Sequence, residues 1–181
     1  ANPRHPYLVG RCNSLETSLE VVLHENYAYV YGSGWTIIDI SNPSNPIRIT
    51  TFTQPRGGGL AIKDTFAYFV HSYDSLNIWS IANPNDPYQI ISIPIRTFPK
   101  DVEIKGNIAY VGGRFWLQVF DISNPINPRE IGYYSTPYDI RRLFCDEKYI
   151  YAACYSAGVC ILEYLPAGLT ENKNTNKKLD F

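Results

Sequence analysis

The sequence has no methionine, only three histidines, and few charges: 18% of its 181 residues are Asp, Glu, Lys or Arg. With apolar residues at 45%, that composition excludes a disordered chain, which lacks the apolar surface to offset the entropy of ordering. A formal net charge of -1 excludes a nucleic-acid or anionic-membrane partner held by bulk electrostatics. No apolar run approaches the ~18 residues that a spanning helix needs, and no helical period of 3.6 runs far. The opening residues Ala1-Asn2-Pro3-Arg4-His5-Pro6 contain no apolar core of a secretion signal. A chain without Met is expected to be a processed product or a piece cut from a longer protein. Motifs that carry chemistry are also missing: there is no glycine-rich phosphate loop, nucleophile elbow or His-Glu-x-x-His.

What the sequence has instead is Tyr (15), Pro (13) and Gly (12), the residues of pleated surfaces and of turns, and they recur with a period. Asp39-Ile40-Ser41-Asn42-Pro43-Ser44-Asn45-Pro46 returns as Ser80-Ile81-Ala82-Asn83-Pro84-Asn85-Asp86-Pro87 and as Asp121-Ile122-Ser123-Asn124-Pro125-Ile126-Asn127-Pro128. Glu163-Tyr164-Leu165-Pro166 is a degenerate fourth copy. A second landmark keeps the same spacing: Ala28-Tyr29-Val30, Ala67-Tyr68-Phe69, Ala109-Tyr110-Val111 and Tyr151-Ala152. Each unit reads as four short strands, A to D. A proline segment joins C to D, because proline cannot donate to a ladder and marks a strand's end. Four short strands per repeat of about 40 residues is the signature of a propeller blade.

The expected architecture is all-β: a four-bladed β-propeller over residues 1–165, followed by a polar tail or linker at 166–181. The blades fall at about 16–53, 57–94, 99–136 and 138–165. The last lacks a strand D, and residues 2–10 match residues 42–50 position for position. The N-terminal strand, residues 2–13, is therefore expected to complete the last blade and remove open sheet edges. Two alternatives are an open half-ring whose two copies close into an eight-bladed dimer and a segment of a longer array. The chain is accordingly expected to be a monomer or a homodimer.

The Ala-Tyr-Val strand followed by an apolar strand ending in Asp-Ile-Ser-Asn-Pro resembles the LVIVD-repeat family. Ala28-Tyr29-Val30 and Ile37-Ile38-Asp39-Ile40-Ser41-Asn42-Pro43 carry the pattern. The resemblance implies β-propeller-like repeats and an extracellular or cell-surface setting. It implies no defined activity. Ser80 and Ala82 depart from the pattern, as does the fourth copy without Asn-Pro.

Function must be sought in the irregular loops at one end of the blades, since fold alone does not confer it. There Trp35, Arg56, His71, Tyr73, Asp74, Arg114, Trp116 and Tyr138 are the candidate ligand-binding residues, offering aromatic, cationic and polar contacts to a protein, glycan or small molecule. The two Trp can equally plug gaps between blades. Aligning the starts of strand A puts Glu20, Gly59, Asp101 and Asp139 together. Three of these are carboxylates at the channel mouth, and Ca²⁺ takes oxygen ligands of that kind. The same Asp can instead hydrogen-bond their own loops. Cys12, Cys145, Cys154 and Cys160 gather in the fourth blade, where a Cys12–Cys160 bridge would staple the closing strand and a Cys154–Cys160 pairing is an alternative. The reading is a non-catalytic binding or interaction module. A structural surface repeat without ligand is one alternative, and a hydrolase using the channel-mouth carboxylates Asp101 and Asp139 is another.

Overall fold

Turn chemistry divides the chain into strands. The computed structural model describes residues 4–13, 17–53, 57–71, 75–96 and 98–163. Among them β1 (Ser18–His24), β2 (Tyr27–Gly32), β3 (Gly34–Asp39) and β4 (Ile47–Thr53) form one antiparallel sheet. A second sheet contains β5 (Gly57–Lys63), β6 (Phe66–His71), β7 (Ser75–Ser80) and β8 (Tyr88–Pro94). The third has five strands: β9 (Pro99–Lys105), β10 (Ile108–Asp121), β11 (Arg129–Cys145), β12 (Tyr149–Cys154) and β13 (Gly158–Glu163). The only helical piece among the described residues is a 3₁₀ turn at Tyr155–Ala157, so no helix there is long and apolar enough to cross a membrane.

The third sheet is larger because its two long strands each serve twice. The first half of β10 pairs with β9 and its second half with β11. Ile122 N–H donates to the Asn107 carbonyl at 2.8 Å, so the two ends of β10 lie together and the strand doubles back at Arg114–Phe115. β11 pairs with β10 through Arg129–Ser135 and with β12 through Ile140–Cys145. It thereby carries the chain from the third repeat unit into the fourth without a break.

The recurring Asn-Pro segments make the same turn three times. Asn42, Asn83 and Asn124 each accept, through Oδ1, the N–H two residues on, and through the carbonyl the N–H three residues on. Asn side chains favour this geometry because they mimic a backbone turn. Asp39 and Asp121 add a cap to the Ser41 and Ser123 amides, 2.8 Å each. These bonds hold both carboxyls below their ordinary range. A register shift also recurs, between Ile37 and Ile38, Ile78 and Trp79, and Val119 and Phe120. Such bulges increase the local twist of a strand pair.

The core lies between the sheets. Alternating side chains send one face of each unit toward its predecessor and the other toward its successor. Tyr29, Tyr31, Trp35 and Ile37 meet Leu60, Ala67, Phe69 and Trp79 at the first junction. Tyr68, Val70, Leu76 and Ile78 meet Val102, Ala109, Val111 and Phe120 at the second. Tyr110, Leu117 and Val119 meet Leu143, Ile150 and Ala152 at the third. Burial on this pattern, with sheets stacked by repeat, is a β-propeller-like arrangement.

The N-terminal segment departs from expectation. Residues 6–13 form no strand, and the described ladder of β13 is with β12 alone. The segment lies instead along the first unit. A Cβ on Gly10 would stand 2.0 Å from the Pro43 carbonyl oxygen, and Arg48 Nη1 donates to the Asn13 carbonyl at 3.3 Å. Held there, it is not hydrogen-bonded to the edge of β13. Neither the Cys12–Cys160 nor the Cys154–Cys160 bridge is made: the four cysteines are free thiols, and the Cys154 and Cys160 side chains are in hydrogen-bond contact.

Candidate functional site

Two places gather polar side chains. The first is a channel between the inner strands, a cavity of about 340 Å³ lined by Glu20 and Val22 of β1, Leu60 of β5, Asp101 and Glu103 of β9, and Arg142 of β11. The inner strands of all four repeat units converge there, which allows residues far apart in sequence to bond. Arg142 Nη1 donates to Glu20 Oε1 at 2.8 Å and to Asp101 Oδ1 at 3.3 Å. Glu20 Oε2 accepts from Leu60 N–H at 2.9 Å, and Asp101 Oδ2 from Leu143 N–H at 2.6 Å. Gly59 makes room for this, since a Cβ on it would lie 2.5 Å from Asp101 Oδ1. Burial raises the carboxyl pKa of both Glu20 and Asp101, and the favourable charge of Arg142 only partly offsets it. Glu103 is pushed up to about 7, first by burial and then by the negative charges of Asp101 and Glu20.

The channel corrects one expectation. Asp139 does not join Glu20 and Asp101. The ladders pair Glu20 with Tyr31, Asp101 with Gly112 and Arg142 with Ala153, so the fourth equivalent position is Arg142. Counting back nine residues from the repeated tyrosines, to Glu20, Gly59, Asp101 and Arg142, would have found it. Among the described residues no three His, Cys, Asp or Glu side chains come together to hold a metal ion. The carboxylates expected to take Ca²⁺ are met by Arg142 in two cases and by Arg114, at 4.0 Å, in the third.

The second place is the rim of the third unit. Arg114 sits at the tip of the β10 reversal, its side chain half exposed. Its N–H donates to the Phe98 carbonyl at 3.2 Å. Its guanidinium carbon lies 5.9 Å from the Phe98 ring centre and 5.1 Å from that of Phe115. Phe98 and Phe115 are both exposed, and both hold left-handed backbone, with φ of 50° and 66°. That region is rare for bulky residues, and strain of this kind clusters at functional sites. Tyr138, also exposed, is next to Asp139 in the bend of β11, and its N–H donates to Thr136 Oγ1 at 3.2 Å.

The other expected rim residues lie elsewhere. Trp35 is in the core, stacked on Phe52 at 4.9 Å and edge-on to Trp79 at 5.4 Å. His71 is also buried, its Nδ1 3.1 Å from the Tyr31 hydroxyl, which donates to the Val70 carbonyl at 3.3 Å. Both belong to the packing of the first two units. Trp116 is covered by the Arg96 guanidinium, 5.1 Å from its ring centre and 4.3 Å from that of Tyr133. Arg56, Tyr73 and Asp74 lie outside the described residues. Of the expected set, Arg114 and Tyr138 stand at an accessible rim, and Phe98 and Phe115 join them. Only backbone angles distinguish these two phenylalanines from ordinary loop residues.

Comparison with known proteins agrees with the fold. No curated protein matches the chain. Among solved structures it is similar to the computationally designed Ika4 protein, with a TM-score of 0.70 at 12% identity over 88% of this chain and 98% of that one. It is similar to the computationally designed Ika8 protein with a TM-score of 0.63 at 12% identity, covering 80% of this chain and 45% of that one. Kluyveromyces lactis Hsv2 follows with a TM-score of 0.53 at 14% identity, covering 78% and 43%. The chain therefore spans less than half the length of two of these three proteins. The LVIVD repeat family model matches residues 17–53 and 99–136, that is, β1–β4 and the strands from β9 into β11. The chain thus carries LVIVD repeats at residues 17–53 and 99–136 within a β-propeller-like fold.

Proposed function

We propose that the chain is a non-catalytic recognition module that binds its partner at the loop rim of the third unit. The observation that carries this reading is Arg114 flanked by two exposed phenylalanines, Phe98 and Phe115, in left-handed backbone. An arginine between aromatic faces recognises a carboxylate beside an apolar or ring-shaped surface, as in an acidic glycan or a peptide. Asp139, at 4.0 Å from Arg114, is a loose counter-ion that such a ligand displaces. The hydrolase alternative has less support, because Asp101 is bonded to Leu143 and Arg142 while Asp139 faces Arg114.

The scaffold is read as four blades. The outer strand of the fourth is supplied by an N-terminal segment, on the match of residues 2–10 to residues 42–50. An extracellular or cell-surface setting fits a recognition role of this kind. The test is a screen of acidic and neutral glycans and of peptides with the whole chain, repeated with Arg114→Ala and Phe115→Ala. A ligand lost in both variants supports the reading. Ligands that bind all three proteins equally, or none from the screen, would sink it.

A further inference from the structure

The two ends of the repeat stack present faces that everywhere else in the chain are buried. In β1, Val21 pairs with Val30, as Leu60 pairs with Phe69, Val102 with Val111 and Leu143 with Ala152. The last three are the residues through which a unit rests on its predecessor, and each is at most 8% exposed. Val21 is 60% exposed, and Leu19 and Leu23 beside it are exposed as well. At the other end, Val159 and Ile161 of β13 occupy the positions of Leu76 and Ile78, which are fully buried against the next unit. Val159 and Ile161 are 64% and 60% exposed, and Phe144 of β11, across β12 from Ile161, is also open. The first unit thus lacks a predecessor and the fourth lacks a successor.

The missing strand shows the same asymmetry. Arg48 of β4 and Glu130 of β11 hold equivalent places, paired with Ile38 and Phe120. Glu130 binds Arg96, just beyond the outer strand of the preceding unit, at 3.2 Å. Arg48 binds the Asn13 carbonyl at 3.3 Å. The N-terminal segment therefore lies on the first unit where a preceding unit's outer strand would lie. Its Tyr7, Leu8 and Val9 are exposed, and β13 has no fourth strand among the described residues. A single chain thus carries both halves of one further junction, bridged within the chain by the Arg142–Glu20 ion pair while their apolar faces stay open.

We propose that a second copy of this chain fills both gaps. The first unit of each copy seats on the fourth unit of the other, and each N-terminal segment pairs with the partner's β13. The two faces differ, so each copy offers one of each kind. Two such junctions related by a two-fold axis close a ring, and each repeats an interface that the chain already makes three times internally. The proposal rests on the four-unit reading of the scaffold and extends it in trans.

The test is sedimentation equilibrium of the chain, of Val21→Lys, of Ile161→Glu, and of the two variants mixed in equal amounts. Both substituted side chains are exposed in the chain, so neither substitution empties a buried site, and circular dichroism verifies the fold. The expected result is a dimer for the unsubstituted chain, a loss of affinity of about 100-fold or more in each variant alone, and recovery of dimer in the mixture. Recovery follows because one unaltered junction survives there and the other pairs Lys with Glu. Ile126→Glu, on an exposed Asn-Pro turn away from both faces, should remain dimeric. A monomer at every concentration whose melting temperature falls in both variants would show the junction closing within one chain. That result overturns the dimer and leaves the four-unit reading standing. Dimers unaffected by either substitution, or a mixture that stays monomeric, overturn the proposal equally.

Discussion

The junction between the first two units and the end that holds the channel and rim use similar residues to opposite effect. At the junction, Tyr31, Trp35, Phe52, Phe69 and Trp79 form a chain of stacked, tilted and edge-on ring contacts with centres 4.9 to 5.4 Å apart, and none of them is a positive-φ residue. At the rim, Phe98 and Phe115 are exposed and hold left-handed backbone. In the channel, Glu103 is partly buried with no ion pair or hydrogen bond among the described contacts, beside Asp101 and Glu20. One region consists of relaxed geometry and removed surface. The other concentrates strain and unfavourable charge around an accessible opening. Stability built at the junction therefore offsets costs held at the rim and channel, and such costs persist only where the surroundings over-determine them.

The comparison can be broken first at the junction. Trp35→Ala should lower unfolding free energy by about 3–5 kcal/mol, the usual cost of emptying a large buried aromatic site, read by urea denaturation. A loss under ~1 kcal/mol would mean that the aromatic stack does not hold the first two units together.

Next is the channel. The Glu103 carboxyl is pushed up to about 7 by burial first, so the folded chain holds its proton more tightly than the unfolded chain does. Its stabilising contribution is full below the ordinary carboxyl range and is lost as pH rises through about 7. The chain should lose on the order of 2 kcal/mol between about pH 4 and pH 8 from this group. Glu103→Gln should remove most of that slope. The same slope in variant and unsubstituted chain would show that another group carries it.

At the rim the sign reverses. Phe115→Gly should raise unfolding free energy by about 1 kcal/mol, because glycine reaches left-handed backbone without the Cβ clash, while weakening ligand capture. A variant that loses stability would show that the Phe115 ring packs for structure, and the contrast with Trp35 would then disappear.

The smallest effect sharpens the same point. Glu25 and Asp64 also hold left-handed backbone, φ 51° each, in the turns where the third unit has Gly106 at φ 58°. Glu25→Gly and Asp64→Gly should each stabilise by about 0.5–1 kcal/mol and leave rim binding unchanged. A change in binding would show that strain is not functional only at the rim.

Much of the scaffold was legible because it depends on local chemistry. Asn42, Asn83 and Asn124 close their turns through bonds that reach only two or three residues, so the sequence motif and the structure carry the same information. The short apolar runs of β2 and β6, which carry the repeated Ala-Tyr landmark, are equally local. The site was less legible. Trp35 and Trp116 look alike as aromatics beside loops, yet Trp35 is enclosed by Phe52, Phe69 and Trp79 while Trp116 lies under Arg96. Which aromatic is enclosed depends on which neighbouring unit approaches it, and that is not local. Arg142 was missed because alignment by strand starts ignored the ladder register, and a shift of three residues exchanges Asp139 for a cation.

By itself the sequence determined the period, the four-strand unit, the Asn-Pro turns and the LVIVD character of the repeat, since each follows from turn chemistry and from short apolar landmarks repeated at one spacing. Only the tertiary structure decided that Glu20, Asp101 and Arg142 meet in one channel, that Phe98 and Phe115 flank Arg114 in strained backbone, and that the N-terminal segment rests on the first unit without a hydrogen-bonded ladder to β13. Those outcomes depend on how separate sheets approach one another. That approach is set by the summed burial of faces distant in sequence, which no local motif encodes.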